Sequence, residues 1–256
     1  MELTGTQRVR VAAVVALFAA ALGAMLTLAP IPQDPAYHAF ADTREVLGIA
    51  NGLNVWSNLP FVLVALSGFA VVSQRPAAFR EAAERLPYLG LFAGLAATAL
   101  GSAYYHAAPD GARLFWDRLP MTVAFMSLFA AVLAERVTVR FGLRAFPLLL
   151  ALGVASIVYA RQTDDLRFYL LVQGFPIVAL PLLLALFPAW YTRGGDLLGL
   201  VGWYLLAKVF ERLDQQVFET LRVVSGHTLK HLFAALAIAW VVRMLRLRHP
   251  LPEEPA

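Results

Sequence analysis

The chain has 256 residues, no cysteine, a formal net charge of +4, and 60% hydrophobic against 15% charged residues. A soluble domain carries about 25% charged residues to coat its surface, so an ordinary soluble enzyme is excluded, and so is a disordered chain, which would be poor in apolar residues. The mean hydropathy of +0.66 points to a polytopic membrane protein, and the lack of cysteine removes disulfides and thiolate chemistry. The sequence pI of about 9.6 does not signal nucleic acid. The basic residues stand singly at the ends of apolar runs, where they anchor helices at the bilayer interface.

A helix needs about 20 mostly apolar residues to cross the hydrocarbon core. Eight runs meet or approach this: 11–30, 53–73, 87–107, 119–138, 145–160, 168–188, 196–210 and 228–245. The expected fold class is therefore all-α and polytopic. The first run opens with Arg8 and Arg10, is of span length, and ends in no A-x-A cleavage site, which reads as a retained helix and not a signal peptide. The connection 31–52, IPQDPAYHAFADTREVLGIANG, is the longest and too polar for lipid. The fifth and seventh runs are short, and the seventh runs into Lys208 and Glu211. Residues 207–226, AKVFERLDQQVFETLRVVSG, read as the end of that span plus an interfacial helix. Glu211, Asp214 and Glu219 there read as a solvated amphipathic face. Trp56, Trp116, Trp190 and Trp203, near run ends, fit aromatic belts. No repeat or low-complexity tract is present, and residues 249–256 form a short polar tail.

Eight crossings put both ends of the chain on one side. The segments on that side carry twelve Lys and Arg residues and the opposite segments eight, with Lys230 inside the last run. The positive-inside rule then places both termini in the cytoplasm.

Among the five histidines, His38 in the long loop and His249 in the tail read as solvated surface residues. His227 and His231, in SGHTLKHL, are spaced i, i+4, which puts both imidazoles on one helix face in the geometry that lets two histidines share a zinc ion. The plainer alternative is two polar side chains facing neighbouring helices. His106 ends the third run, Ser102 precedes it by one turn, and Asp117 opens the fourth run after the Pro109–Asp110–Gly111 turn. Counting spans places these residues and His227 at one membrane depth, on the extracytoplasmic side, so three histidines from two helices can converge. Three protein ligands and an open fourth position is the pattern of catalytic zinc. Asp117 would orient water or shuttle its proton, and Ser102 would bond the water or an oxyanion. The structural alternatives are an ion pair of Asp117 with Arg118 or Arg113, and Ser102 as a small residue for close packing. Lys230 points away from both helical histidines and is expected to snorkel or pair with a carboxylate.

GIANGLNVWSNLPF (48–61), GSAYYH (101–106), WDRLPMTVAFM (116–126) and SGHTLKH (225–231) together resemble the motifs of the alkaline ceramidases and their bacterial relatives. These belong to the CREST superfamily of membrane hydrolases, which also includes the adiponectin and progestin receptors. The resemblance runs from about residue 38 to residue 246. It implies a seven-helix core over 36–248, with residues 1–35 as an additional N-terminal transmembrane helix and a bacterial inner-membrane setting. It also implies zinc held by His106, His227 and His231, with Ser102 and Asp117 beside the bound water, and hydrolysis of ceramide or a related N-acyl lipid to a fatty acid and an amine base. The eukaryotic members share an acidic calcium-binding cluster around the first core helix. Here Asp42, Glu45, Asn51 and Asn54 are nearby, but the acidic spacing does not match residue by residue; the alternative is that Asp42, Arg44 and Glu45 form a solvated loop while Asn54, Ser57 and Asn58 bond between helices.

Three functions are weighed: an intramembrane zinc amide hydrolase, a receptor-like or sensory protein with a structural zinc site, and a transporter. The last would show inverted repeats and broken helices at the midplane, and neither is visible in the sequence.

Overall fold

The computed structural model describes residues 4–252. Residues 253–256 of the expected polar tail lie outside the described residues. The helices are α1 (Gly5–Thr27), α2 (Gly52–Trp56), α3 (Leu59–Gln74), α4 (Arg85–Ala107), α5 (Gly111–Arg136), α6 (Val139–Thr163), α7 (Arg167–Leu186), α8 (Asp196–Arg212), α9 (Asp214–Leu221) and α10 (Gly226–Leu247). Among the described residues seven segments are long and apolar enough to cross a membrane: α1, α2 with α3, α4 with its preceding turn, α5, α6, α7 and α10. The protein is an all-α, multi-pass membrane protein.

The helix boundaries follow from local chemistry. Side chains of Thr4, Asp110, Thr138 and Ser225 accept the orphan N–H groups at the starts of α1, α5, α6 and α10. The first core span breaks after Trp56 because Pro60 has no N–H and its ring would clash with the carbonyl four residues earlier. Two expected lengths need correction. The fifth span is not 145–160 but the 25-residue α6, because Arg140 and Arg144 belong to its first turns, where long cationic side chains reach the interface. The seventh, α8, has 17 residues and rises about 26 Å at 1.5 Å per residue, short of a hydrocarbon core of about 30 Å. It lies beside α10, and Trp203 on it stacks on Phe233 of α10 with ring centroids 5.8 Å apart instead of sitting in an interfacial belt. The short α9 follows, with no fully buried residue.

Helices α4 and α5 form the tightest hairpin. A Cβ on Gly94 would stand 2.6 Å from the Ala124 backbone nitrogen, and one on Gly101 would stand 2.0 Å from the Trp116 carbonyl oxygen, so glycine is what lets the two backbones touch. The main core lies between α4, α5, α7, α8 and α10, with Phe92, Leu128, Phe129, Leu180, Leu183 and Val241 buried together. Helix α1 packs peripherally, Phe18 meeting Phe175 of α7 edge to face at 5.0 Å.

The start of α1 and the end of α10 share one end of the bundle. Gln7 donates to the Val137 carbonyl at 3.3 Å, and Arg248 pairs with Glu135, so both ends meet the α5–α6 turn. The α4–α5 turn, and His106 just before it, are at the opposite end.

Candidate metal centre

His106 sits in the last turn of α4, and His227 and His231 in the first two turns of α10. All three are buried, and one ligand atom from each lies within 4.8 Å of the others. The ring centroids form a near-equilateral triangle of 4.7, 4.9 and 4.9 Å with steep interplanar angles of 66°, 61° and 84°. The rings therefore present edges to a common point and do not stack. His106 Nε2 and His227 Nε2 are 3.2 Å apart. Two nitrogens bound tetrahedrally at 2.0–2.1 Å would be separated by about 3.3 Å. His106 Nδ1 is buried without a partner. The donor set, all imidazole, suits a borderline-soft transition ion. The group can hold a metal ion, and among the described residues no fourth histidine, cysteine or carboxylate joins it.

The supporting groups lie in the first core span, where Ser57 and Asn54 bond between helices as one sequence alternative expects. Ser57, in the break between α2 and α3, lies 2.7 Å from His231 Nδ1, which turns Nε2 toward the other histidines and fixes the ring. Asn51 donates to the His106 carbonyl at 3.0 Å. Asn54, fully buried, accepts from the Thr228 hydroxyl at 3.0 Å and donates to the Asp42 carbonyl at 3.3 Å. The asparagine-rich opening of the first core span is thus the scaffold under the first turn of α10.

The loop between α1 and α2 folds over the histidines. Phe40 packs edge-on against His106 at 4.7 Å and His227 at 4.5 Å. His38, expected to be solvated, is half-buried, with its Nδ1 2.9 Å from the Tyr105 hydroxyl. His249 is exposed at the far end. Asp214 is also not the solvated residue expected. Its carboxylate accepts from the His227 N–H at 2.7 Å and from the Ala41 N–H at 2.9 Å, tying the loop to the start of α10. Glu211 is likewise turned inward, held between Lys208 and Lys230, with the Lys230 contact at 2.6 Å. Only Glu219 lies on the exposed face.

The residues weighed for calcium do not fit that ion. Both Asp42 oxygens are taken by the Arg44 guanidinium at 2.8 and 2.7 Å, which holds this carboxyl below its ordinary range despite burial. Asn51 and Asn54 are engaged as above, and Glu45 is exposed.

Asp117 and Ser102 are both buried and line one cavity of about 300 Å3, shared with His231, Lys230 and Tyr204. Ser102, Lys230 and Arg118 are close enough to interact electrostatically with the Asp117 carboxylate. The expected ion pair of Asp117 does not form. Among the described residues Asp117 forms no ion pair, Arg113 pairing with Asp110 at 3.6 Å, and the close-packing role at this turn belongs to Gly101. A second, apolar cavity of about 100 Å3 shares Phe61, Thr98, Met121, Tyr204 and Ala234 with the first and runs on among α4, α5, α7, α8 and α10.

No protein-family model matches the chain, and no curated protein matches it.

Proposed function

We propose that the protein is a zinc-dependent hydrolase that cleaves a lipid amide within the membrane, as a bacterial member of the alkaline ceramidase group it resembles. The observation that carries this reading is the three-histidine group with no fourth protein ligand among the described residues, set beside a buried carboxylate on the wall of a cavity that adjoins an apolar one. Zinc held by His106, His227 and His231 would supply a Lewis acid that lowers the pKa of bound water to about 7 and polarises an amide carbonyl.

The chain's own residues supply the rest. Asp117 accepts the proton of the attacking water and delivers it to the amide nitrogen, so that the C–O bond forms as the C–N bond breaks and the amine leaves neutral. Ser102 keeps the carboxylate turned into the cavity. Phe40 and the loop around it exclude bulk water from the imidazoles. The acyl chain of ceramide or a related N-acyl lipid would enter by the apolar cavity and extend between the helices, leaving a free fatty acid and an amine base as products.

The excess of basic residues at the end that holds both termini supports cytoplasmic termini and an extracytoplasmic site in a bacterial inner membrane. The receptor-like reading, with structural zinc, would need a closed fourth position, and Asp117 is outside the converging group. Asp117→Asn distinguishes the two. The hydrolase reading predicts retained zinc and no fatty acid release from lipid amides that the wild type cleaves. Loss of zinc in this variant would make Asp117 the fourth ligand and overturn the catalytic assignment.

A further inference from the structure

Three arginines of the described chain are almost completely buried: Arg118, Arg136 and Arg248. Arg248 pairs with Glu135, and Arg136 lies beside it at the far end of α5. Arg118 is different because it faces the candidate site. It is 7% exposed, and it lines both the 300 Å3 cavity of Asp117 and a neighbouring cavity of about 340 Å3. Its guanidinium carbon lies 5.0 Å from the ring centre of Tyr37 and 5.0 Å from that of Tyr169. Among the described residues no carboxylate forms an ion pair with it, and its guanidinium is flanked by the two aromatic rings.

Aromatic rings against a guanidinium stabilise its charge and orient its plane, but they accept none of its five in-plane N–H donors. A buried cation of this kind is completed by an anion that can take two parallel hydrogen bonds. The other carboxylates on the two cavity walls are engaged. Glu211 lies between Lys208 and Lys230, Asp34 accepts from the Ala36 N–H at 2.8 Å, and Asp164 accepts from the Gln33 N–H at 3.0 Å. Asp117 is buried beside Ser102 on the wall of the inner cavity. The outer cavity adds a second cation, Arg161, with Phe115 beneath it at 4.8 Å.

We propose that Arg118 binds an anionic group, a carboxylate or a phosphate ester, on the amine portion of the lipid substrate. This rests on the hydrolase reading and narrows it: the preferred substrate is an acidic N-acyl lipid, not a neutral one.

The test uses two matched pairs, N-palmitoylglycine with N-palmitoylethanolamine, and ceramide 1-phosphate with ceramide. Binding and hydrolysis are measured in neutral detergent for wild type, Arg118→Gln and Arg118→Lys. In at least one pair the wild type should bind the anionic member about tenfold or more tightly, the factor a charged hydrogen bond supplies. The pair that shows it separates carboxylate from phosphate recognition. Arg118→Gln should erase that preference through KM, and Arg118→Lys should recover part of it. Equal or better binding of both neutral members by the wild type overturns the proposal, as does an equal loss on both members of each pair in a folded Arg118→Gln. Charge-selective binding with no hydrolysis of any lipid would refute the hydrolase reading and leave anion recognition standing. Hydrolysis without charge selectivity would do the reverse.

Discussion

Asp214 offers the sharpest test of how the site is held. Its carboxylate joins two backbone N–H groups that have no other tie, His227 at 2.7 Å and Ala41 at 2.9 Å, and it sits at the N-terminal end of α10, where the helix dipole favours negative charge. A hydrogen bond to a charged group contributes about 1.5–3 kcal/mol. Asp214 is half-buried, which favours the lower figure, so Asp214→Ala should weaken the closed arrangement by about 3 kcal/mol in total. That corresponds to about two decades in an equilibrium constant, and outer partners of metal ligands commonly govern affinity by 10–100-fold. A competitive chelator titration of the detergent-purified protein should show zinc affinity falling by this amount, with a lower Tm. Asp214→Asn, which keeps one acceptor oxygen, should lose about half as much free energy. If Asp214→Ala binds zinc as tightly as wild type and melts at the same temperature, the carboxylate is not what clamps the loop to α10.

Further expectations follow from the same geometry. Ser57→Ala frees the His231 ring, bonded at 2.7 Å, and should weaken zinc binding by about tenfold or more with little change in Tm, as read by chelator competition and thermal unfolding. Gly101→Ala places a methyl 2.0 Å from the Trp116 carbonyl oxygen, so the α4–α5 hairpin should lose about 1–3 kcal/mol, visible as a drop in Tm. Arg44 holds the Asp42 carboxyl below the usual 3.8 and also ties the loop to the Arg222 and Val223 carbonyls. The folded-state pKa is lowered, so this stabilisation is complete above 3.8 and disappears as the pH falls through the depressed value. Asp42→Asn should therefore melt below wild type at neutral pH, and the gap should close under acid conditions.

The spans were legible because each is a long apolar run, and lipid as solvent leaves little other choice for such runs. Arg140 and Arg144 concealed the first turns of α6, since charge at an interface looks like the end of a span until the side-chain length is considered. His227 and His231 were legible from i, i+4 spacing, and His106 with Asp117 from their positions beside a Pro–Asp–Gly turn. That Asn54 and Ser57 bond between helices was also legible, but the partners of the supporting groups were not. Ser57 meets His231 across 174 residues and Asp214 meets Ala41 across 173, and no periodicity marks a contact of that range. His38, Phe40 and Asp214 lie in segments that read as solvated because they are polar or mixed. In the fold their polar groups tie the loop down over the histidines. Arg118 was visible only as a possible partner for Asp117, and its aromatic surroundings emerge only when Tyr37 and Tyr169 are brought together from separate segments.

The central claim is that a histidine-held zinc ion supports hydrolysis. It is tested most directly by measuring zinc per chain and fatty acid release on the same preparations of wild type and His231→Ala. The account predicts one zinc per wild-type chain with fatty acid released from a lipid amide, and neither zinc nor release in folded His231→Ala. Release of fatty acid by a zinc-free His231→Ala would contradict it.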